Sequence, residues 1–180
     1  LFLSSILAVD ADTGEYRWHY QTTPRDRWDY TATQQIMLAD LPFGEGGADR
    51  RVVMQAPKNG FFYVLDAADG ELISATPFTQ QNWTTGEFDE NGRPVLIQDA
   101  VDMALTLVIP GPTGAHNWHP MAFNPDTGLV YIPVNEIPFF YDKTRNVKDS
   151  KCWWNIGYDA AAGWPVEYPA GTLDAVADLD

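Results

Sequence analysis

The sequence predicts an all-β protein assembled from antiparallel hairpins. Three observations carry this. Short runs rich in β-branched and aromatic residues alternate with turn residues, and few segments show helical periodicity. Gly and Pro, 14 and 13 of the 180 residues, are spread along the whole chain. The stretches "DADTGE", "DAADGE" and "NPDTGL" each place Asp or Asn ahead of Gly, as tight turns with a positive-φ position require.

Strands are expected at 2–9, 15–21, 34–39, 50–56, 60–66, 71–76, 119–124 and 129–134. The run 2–9 is apolar and stops at the first Asp-Gly turn; 15–21 restarts beyond it. The pairs 60–66 with 71–76, and 119–124 with 129–134, flank the second and third such turns. Residues 78–115 and 136–180 read as irregular and rich in Trp, Pro and Gly. Stretches of that kind in a compact β protein are usually functional loops.

An internal echo adds to the pattern. "AVDADTGEYRW" (8–18) has Ala, Asp, Gly and Trp at relative positions 1, 3, 7 and 11, and "VLDAADGELIS" (64–74) keeps the Asp and Gly, with Ser74 in the place of Trp. A hairpin-sized unit repeating after 56 residues suggests propeller blades. In a propeller such a Trp fills the gap between blades, and its N–H needs an acceptor in the neighbour. Two ordinary Asp-x-x-x-Gly hairpins would also look alike, because turn chemistry is limited, so the echo leaves both readings open.

Bulk properties exclude some functions. A formal net charge of −14 argues against nucleic acid or anionic lipid as partner, since both call for a basic face. Seven tryptophans and 13% aromatic residues are too many for a disordered chain. No apolar run approaches the ~20 residues of a membrane span. "LFLSSIL" lacks the basic region and small-residue cleavage site of a signal peptide. Cys152 has no partner cysteine in the chain. Both ends look cut, so the expectation is a piece of one longer domain with no complete domain boundary inside it.

The stretch "TPRDRWDYTATQQ" (23–35) sets Asp26 and Asp29, three apart, beside Trp28 and two arginines. Read alone, the two carboxylates pair with Arg25 and Arg27 as a surface cluster worth little. The alternative is a base held over an apolar pocket. Lys58, before Asn-Gly, reads as a solvated hairpin lysine. His116 and His119 straddle Asn117 and Trp118, but no third ligand stands at metal spacing nearby, so structural roles are favoured. His19 reads as packing on a strand. The tryptophans of "CWW" and "GW" in the tail read as core or loop packing.

The stretches "AVDADTGEYRWHYQ", "RWDYTATQQIMLADL", "VMQAPKNGFFYVLDAADGELISA" and "HNWHPMAFNPDTGLVYIPV" follow one another as in the pyrroloquinoline quinone (PQQ)-dependent alcohol dehydrogenases. The resemblance is nearest to the quinohaemoprotein branch. It covers most of residues 1–135 and weakens over 136–180. It implies part of an eight-bladed β-propeller with tryptophan-docking repeats, of which this chain would supply roughly two to three blades. By resemblance Asp29 is the catalytic base and a metal ligand, Lys58 hydrogen-bonds the quinone oxygens, and Asn117, with Trp118 beside it, contacts the far edge of the cofactor. Asp26 is at most a supporting carboxylate that shapes the turn.

The implied chemistry is coherent. Alcohol oxidation needs a base for the O–H proton and an acceptor for the hydride, and a carboxylate beside a divalent cation stays ionised. A Lys ammonium stabilises charge on a reduced quinone. The resemblance also implies calcium, a cytochrome acceptor, haem c in a domain elsewhere, and a periplasmic location. It places the other metal ligands, a vicinal disulfide and a stacking Trp upstream, so the chain alone should be inactive. The substrate alcohol is left open. Lanthanide-using relatives carry a second Asp two residues after the base. Here that residue is the uncharged Thr31, which favours calcium. A non-catalytic propeller scaffold would share the repeat but has no need of Asp29, Lys58 and Asn117 together. A carbohydrate-active β protein fits the acidic, aromatic composition but explains neither "APKNG" nor "HNWHP".

Overall fold

Turn chemistry sets the hairpins. The carbonyl of Asp10 accepts from Gly14 N–H at 2.9 Å, and its carboxylate accepts from the N–H groups of Asp12 and Thr13. The same arrangement recurs at Asp66 with Ala68 and Gly70, and at Asn124 with Asp126 and Gly128. All three glycines have positive φ. A short polar side chain caps the N–H two residues on, and glycine takes the left-handed position without a Cβ penalty. The Arg17 guanidinium, helped by the Thr13 and Asp12 N–H groups, holds the Asp10 carboxyl down at about 2.

A computed structural model describes residues 2–43, 47–98 and 105–142, all within the unit Leu1–Lys143. Strands β1 (Ser5–Val9) and β2 (Tyr16–Gln21) form an antiparallel hairpin. Strands β3 (Ile36–Pro42), β4 (Asp49–Gln55), β5 (Phe61–Asp66) and β6 (Leu72–Pro77) form a four-stranded antiparallel sheet in chain order. Then come the pairs β7 (Thr84–Phe88) with β8 (Pro94–Leu96), β9 (Leu105–Val108) with β12 (Phe139–Asp142), and β10 (Ala122–Asn124) with β11 (Leu129–Tyr131).

All eight expected strands are present, with ends shifted. Residues 2–4, 119–121 and 132–134 are not strand. The stretch 78–115 is not uniformly irregular: it contains β7, β8 and β9, and β12 lies in the other supposed loop. "TTGEF" and "PVL" are short and interrupted by Gly or Pro, so they carry no periodic signal. The β9–β12 pair joins residues 31 to 37 positions apart, from Val108 opposite Phe139 to Leu105 opposite Asp142; no local pattern announces such a pairing. The tail with Cys152 and its tryptophans lies outside the described residues.

The β1–β2 register explains the core. Ile6 faces Tyr20 and Ala8 faces Trp18, so these four share one face of the hairpin. That face joins Val53, Phe61, Tyr63 and Leu65 of the sheet in one buried cluster. Trp18 Nε1–H donates to the Ala67 carbonyl at 3.1 Å. The indole lies directly on Gly70: a Cβ there would come within 2.5 Å of Trp18 Cε3. The Trp of the first echo thus packs on the Gly of the second. His19, on the opposite face, accepts or donates to Tyr16 Oη through Nδ1 and packs edge-on to Phe2.

Gly70 and Gly14 have the same left-handed backbone, but nothing lies within 4 Å of a Cβ at Gly14. Gly14→Ala should therefore cost only backbone strain, roughly 1–2 kcal/mol. Gly70→Ala adds displacement of Trp18 and should cost roughly 1–3 kcal/mol more. Equilibrium unfolding of the two variants checks this; equal losses would show that the Trp18–Gly70 contact contributes nothing.

Candidate functional site

The segment 22–35 leaves β2 and reaches β3 by a strained path. Arg25, Asp29 and Thr31 all have positive φ, at 52°, 62° and 53°. L-residues rarely adopt that region, and a β-branched residue least of all. Side chains alternate along it. Trp28 and Tyr30 turn inward, both buried, and Asp29 between them turns out. The two inward rings stack at 5.5 Å and meet Trp83 at 5.7 and 5.4 Å. Tyr30 Oη donates to the Pro110 carbonyl at 2.7 Å. The aromatics therefore fix the direction in which Asp29 points.

Asp26 is a loop carboxylate, as expected, and a heavily used one. It accepts from Trp28, Tyr30 and Thr31 N–H and from Ser4 Oγ. The surface cluster with Arg25 and Arg27 does not form: among the described residues neither Asp26 nor Asp29 pairs with either arginine. The partner of Asp29 is Lys58.

Lys58 sits in the β4–β5 turn, at the same end of the four-stranded sheet. Its Nζ donates to the Asp29 carbonyl at 2.9 Å and to Asp29 Oδ2 at 3.2 Å. It is not a solvated hairpin lysine: its side chain is 11% exposed, against 71% for Asp29. Two features cause this. Ala115 N–H donates to the Lys58 carbonyl at 2.9 Å. Gly114 lies so close that a Cβ there would be 2.3 Å from Lys58 Cγ. The next residue, Asn59, is wholly buried. Its Nδ2 donates to Thr22 O, Thr23 Oγ1 and Tyr63 Oη, and its Oδ1 accepts from Phe61 N–H.

Asn117 lies three residues beyond Gly114. Its Nδ2 donates to the Thr113 carbonyl at 2.9 Å, and its Oδ1 is buried with no partner. Trp118 is 88% exposed. His116 is fully buried; Nδ1 faces Ala56 O and Nε2 faces His119 O, so His116 has the structural role expected of it, whereas His119 takes part through its backbone carbonyl and its side chain is exposed. Among the described residues no group of three or more His, Cys, Asp or Glu side chains could enclose a metal ion.

Asp29 and Lys58 are thus in contact, and the loop bearing Asn117 and Trp118 packs on Lys58. Sequence reasoning missed Gly114 and Asn59. Gly114 lies in "GPTGAHNW", where nothing local reveals which backbone it must approach. Asn59 reads as half of an Asn-Gly turn, although its amide works in the interior.

Toward a ligand, the Lys58 ammonium suits an anionic oxygen and the unmet Asn117 Oδ1 suits a hydrogen-bond donor. Asp29 presents an exposed carboxylate, and Trp118 separately presents an exposed indole. Of these groups the Asp29 carboxylate is the one suited to a metal ion.

Residues 1–94 match the family described as "PQQ: Glucose/ethanol/alcohol dehydrogenase, beta-propeller domain". The quinohemoprotein alcohol dehydrogenase ADH-IIG of Pseudomonas putida is 56% identical over 146 residues, covering 79% of this chain and 20% of the relative. Its solved structure superposes with a TM-score of 0.74 over 79% of this chain and 21% of that one. The quinohemoprotein alcohol dehydrogenase of Comamonas testosteroni is 51% identical over 85% of this chain and 20% of its own length. A europium-containing methanol dehydrogenase structure is 38% identical, with a TM-score of 0.72 over 78% of this chain and 25% of that one. The chain therefore spans about one-fifth of the length of the curated relatives it matches. On this family match and these identities, the chain belongs to the β-propeller domain family of the PQQ-dependent glucose, ethanol and alcohol dehydrogenases.

Proposed function

We propose that this chain forms two to three blades of an eight-bladed propeller with tryptophan-docking repeats, in an enzyme that oxidises an alcohol to an aldehyde with PQQ. The observation that supports it most is the contact of Asp29 with Lys58 beside the loop that carries Asn117. The packing of Trp18 on Gly70 supports the docking repeat.

In this reading Asp29 is the base: its exposed carboxylate takes the hydroxyl proton of the alcohol. PQQ, when bound, supplies the electrophilic carbon that accepts the hydride. Lys58, whose Nζ lies against Asp29, would hold the quinone oxygens with its ammonium and stabilise negative charge there. Asn117 offers its unmet Oδ1 to the far edge, with Trp118 beside it. Among the described residues Asp29 is also the one contribution to a calcium site, whose remaining oxygen ligands would come from elsewhere. Electrons pass on to a cytochrome, haem c is carried outside this chain, and the compartment is the periplasm. Release of the protein by osmotic shock checks the last point.

Asp29→Asn keeps shape and loses the base. Turnover of the enzyme supplied with PQQ and calcium should fall on the order of 10²–10⁴-fold. Near-normal turnover removes Asp29 from the chemistry.

Lys58→Ala should act on cofactor retention, read as PQQ remaining bound after gel filtration. Gly114→Ala should weaken retention in the same way with no change of charge, since its methyl group would displace Lys58. Unchanged retention in both variants would detach Lys58 from the cofactor.

Metal choice rests on Thr31, whose hydroxyl brings no charge and lies 3.4 Å from Thr33 Oγ1. A trivalent ion calls for more carboxylate than this loop supplies. Apoenzyme reconstituted with calcium should be active, and Thr31→Asp should raise activity with lanthanum. Wild-type activity with lanthanum alone would refute the assignment.

A further inference from the structure

We infer that Asp26 is the positioning residue for Asp29: its carboxylate, through the backbone, holds the catalytic carboxylate at its station over Lys58. The inference rests on the reading of Asp29 as the base. Asp26 Oδ1 accepts from Trp28 N–H at 3.0 Å and Tyr30 N–H at 3.2 Å, and Oδ2 accepts from Thr31 N–H at 3.0 Å and from Ser4 Oγ. The backbone donors bracket Asp29 on both sides. Two of the residues so framed, Asp29 and Thr31, hold left-handed φ, as does Arg25 just before Asp26. Such residues are strained and persist only where surrounding structure over-determines them. Hydrogen bonds to an ionised acceptor are the stronger kind, and four converge here.

The anchor is itself tied to the fold. The Ser4 carbonyl accepts from Thr22 N–H at 2.8 Å and from Thr22 Oγ1 at 2.9 Å. The Thr22 carbonyl in turn accepts from Asn59 Nδ2 and Tyr63 Oη. Asn59 adjoins Lys58. A continuous run of hydrogen bonds therefore leads from the frame around Asp29 to the turn that presents Lys58. Asp26 touches neither of them with its own side chain in this run; it acts through the backbone on either side of Asp29.

Three variants test this. Asp26→Ala removes all four bonds. Asp26→Asn keeps the two acceptor bonds at Oδ1 but turns an N–H toward Thr31 N–H. Ser4→Ala removes one bond and leaves the backbone frame intact. In the enzyme supplied with PQQ and calcium, kcat should fall roughly 10–100-fold in Asp26→Ala, since small misplacement of a catalytic group costs about that. Asp26→Asn should lie between Asp26→Ala and wild type, and Ser4→Ala should stay nearest wild type. KM should change little, because Asp26 is not placed against substrate.

The second readout needs no cofactor. Amide exchange at Trp28, Tyr30 and Thr31 should quicken about tenfold or more in Asp26→Ala, as loss of charge-assisted bonds implies. Trypsin should cut faster after Arg25 and Arg27. Unchanged exchange and cleavage would overturn the inference. So would loosened exchange with unchanged kcat, which would make Asp26 a loop staple alone. Should Asp26→Ala fail to fold, Asp26→Asn and Ser4→Ala carry the same two readouts. Asp29→Asn with full turnover would remove the base reading separately, because loop exchange in the Asp26 variants does not depend on it.

Discussion

The packing of the β1–β2 hairpin against the four-stranded sheet is the interaction on which the rest depends. Ile6, Trp18 and Tyr20 bury one face of the hairpin in the cluster that holds Val53, Phe61, Tyr63 and Leu65. Full burial of such side chains is worth on the order of 2–3 kcal/mol apiece. At one end of this contact Trp18 rests on Gly70 and donates to Ala67 O. At the other, Tyr20 packs on Tyr63 at 5.4 Å, and the Thr22 carbonyl accepts from Asn59 and Tyr63. Burial raises the ionisation of both Tyr20 and Tyr63 above the ordinary phenol range, so both stay hydrogen-bond donors. Because β2 is locked to the sheet, the segment leaving β2 is locked to the turn that follows β4. Asp29 and Lys58 stand on those two pieces.

Strain and satisfaction are balanced in the same segment. A chain with left-handed residues at Arg25, Asp29 and Thr31 would relax if it were free. It is held from the inside by Trp28 and Tyr30 against Trp83, and from the polar side by the Asp26 carboxylate. Trp83 Nε1–H donates to the Asn59 carbonyl at 3.0 Å, so the aromatic anchor and the Lys58 turn share a partner. The Asp29–Lys58 pair itself is half open to solvent and contributes little to stability. Its geometry is a consequence of the packing around it, which is what a site needs if the pair must be free to engage a ligand.

Much of this was legible in the chain. Hairpins with Asp-Gly and Asn-Gly turns are written locally, since the turn residue, the glycine and the flanking β-formers lie within a dozen positions. The strands around those turns were found for that reason. β7 and β8 were not, because Gly86 and Pro94 interrupt runs already too short to show alternation. The pairing of β9 with β12 was not, because paired residues lie 31 to 37 positions apart. In the site, Asp29, Lys58 and Asn117 were singled out by resemblance to a family. Their ordinary reading, a solvated cluster and a solvated lysine, was the reasonable one from local chemistry.

What the sequence determined by itself is the class of fold, the turn positions and the residue types able to bind and take protons. These follow from periodicity and from side-chain chemistry, which act over a few residues. What only tertiary structure decided is which carboxylate does what. Asp26 and Asp29 are identical side chains three apart in one loop. Alternation with buried Trp28 and Tyr30 sends Asp29 outward to Lys58, and proximity to Ser4 and three backbone N–H groups commits Asp26 to the frame. Gly114 is likewise an ordinary glycine until the fold brings Lys58 against its α-carbon. The Ser4–Asp26, Asp29–Lys58 and Lys58–Gly114 contacts join residues 22, 29 and 56 positions apart, and no local rule of sequence can register them.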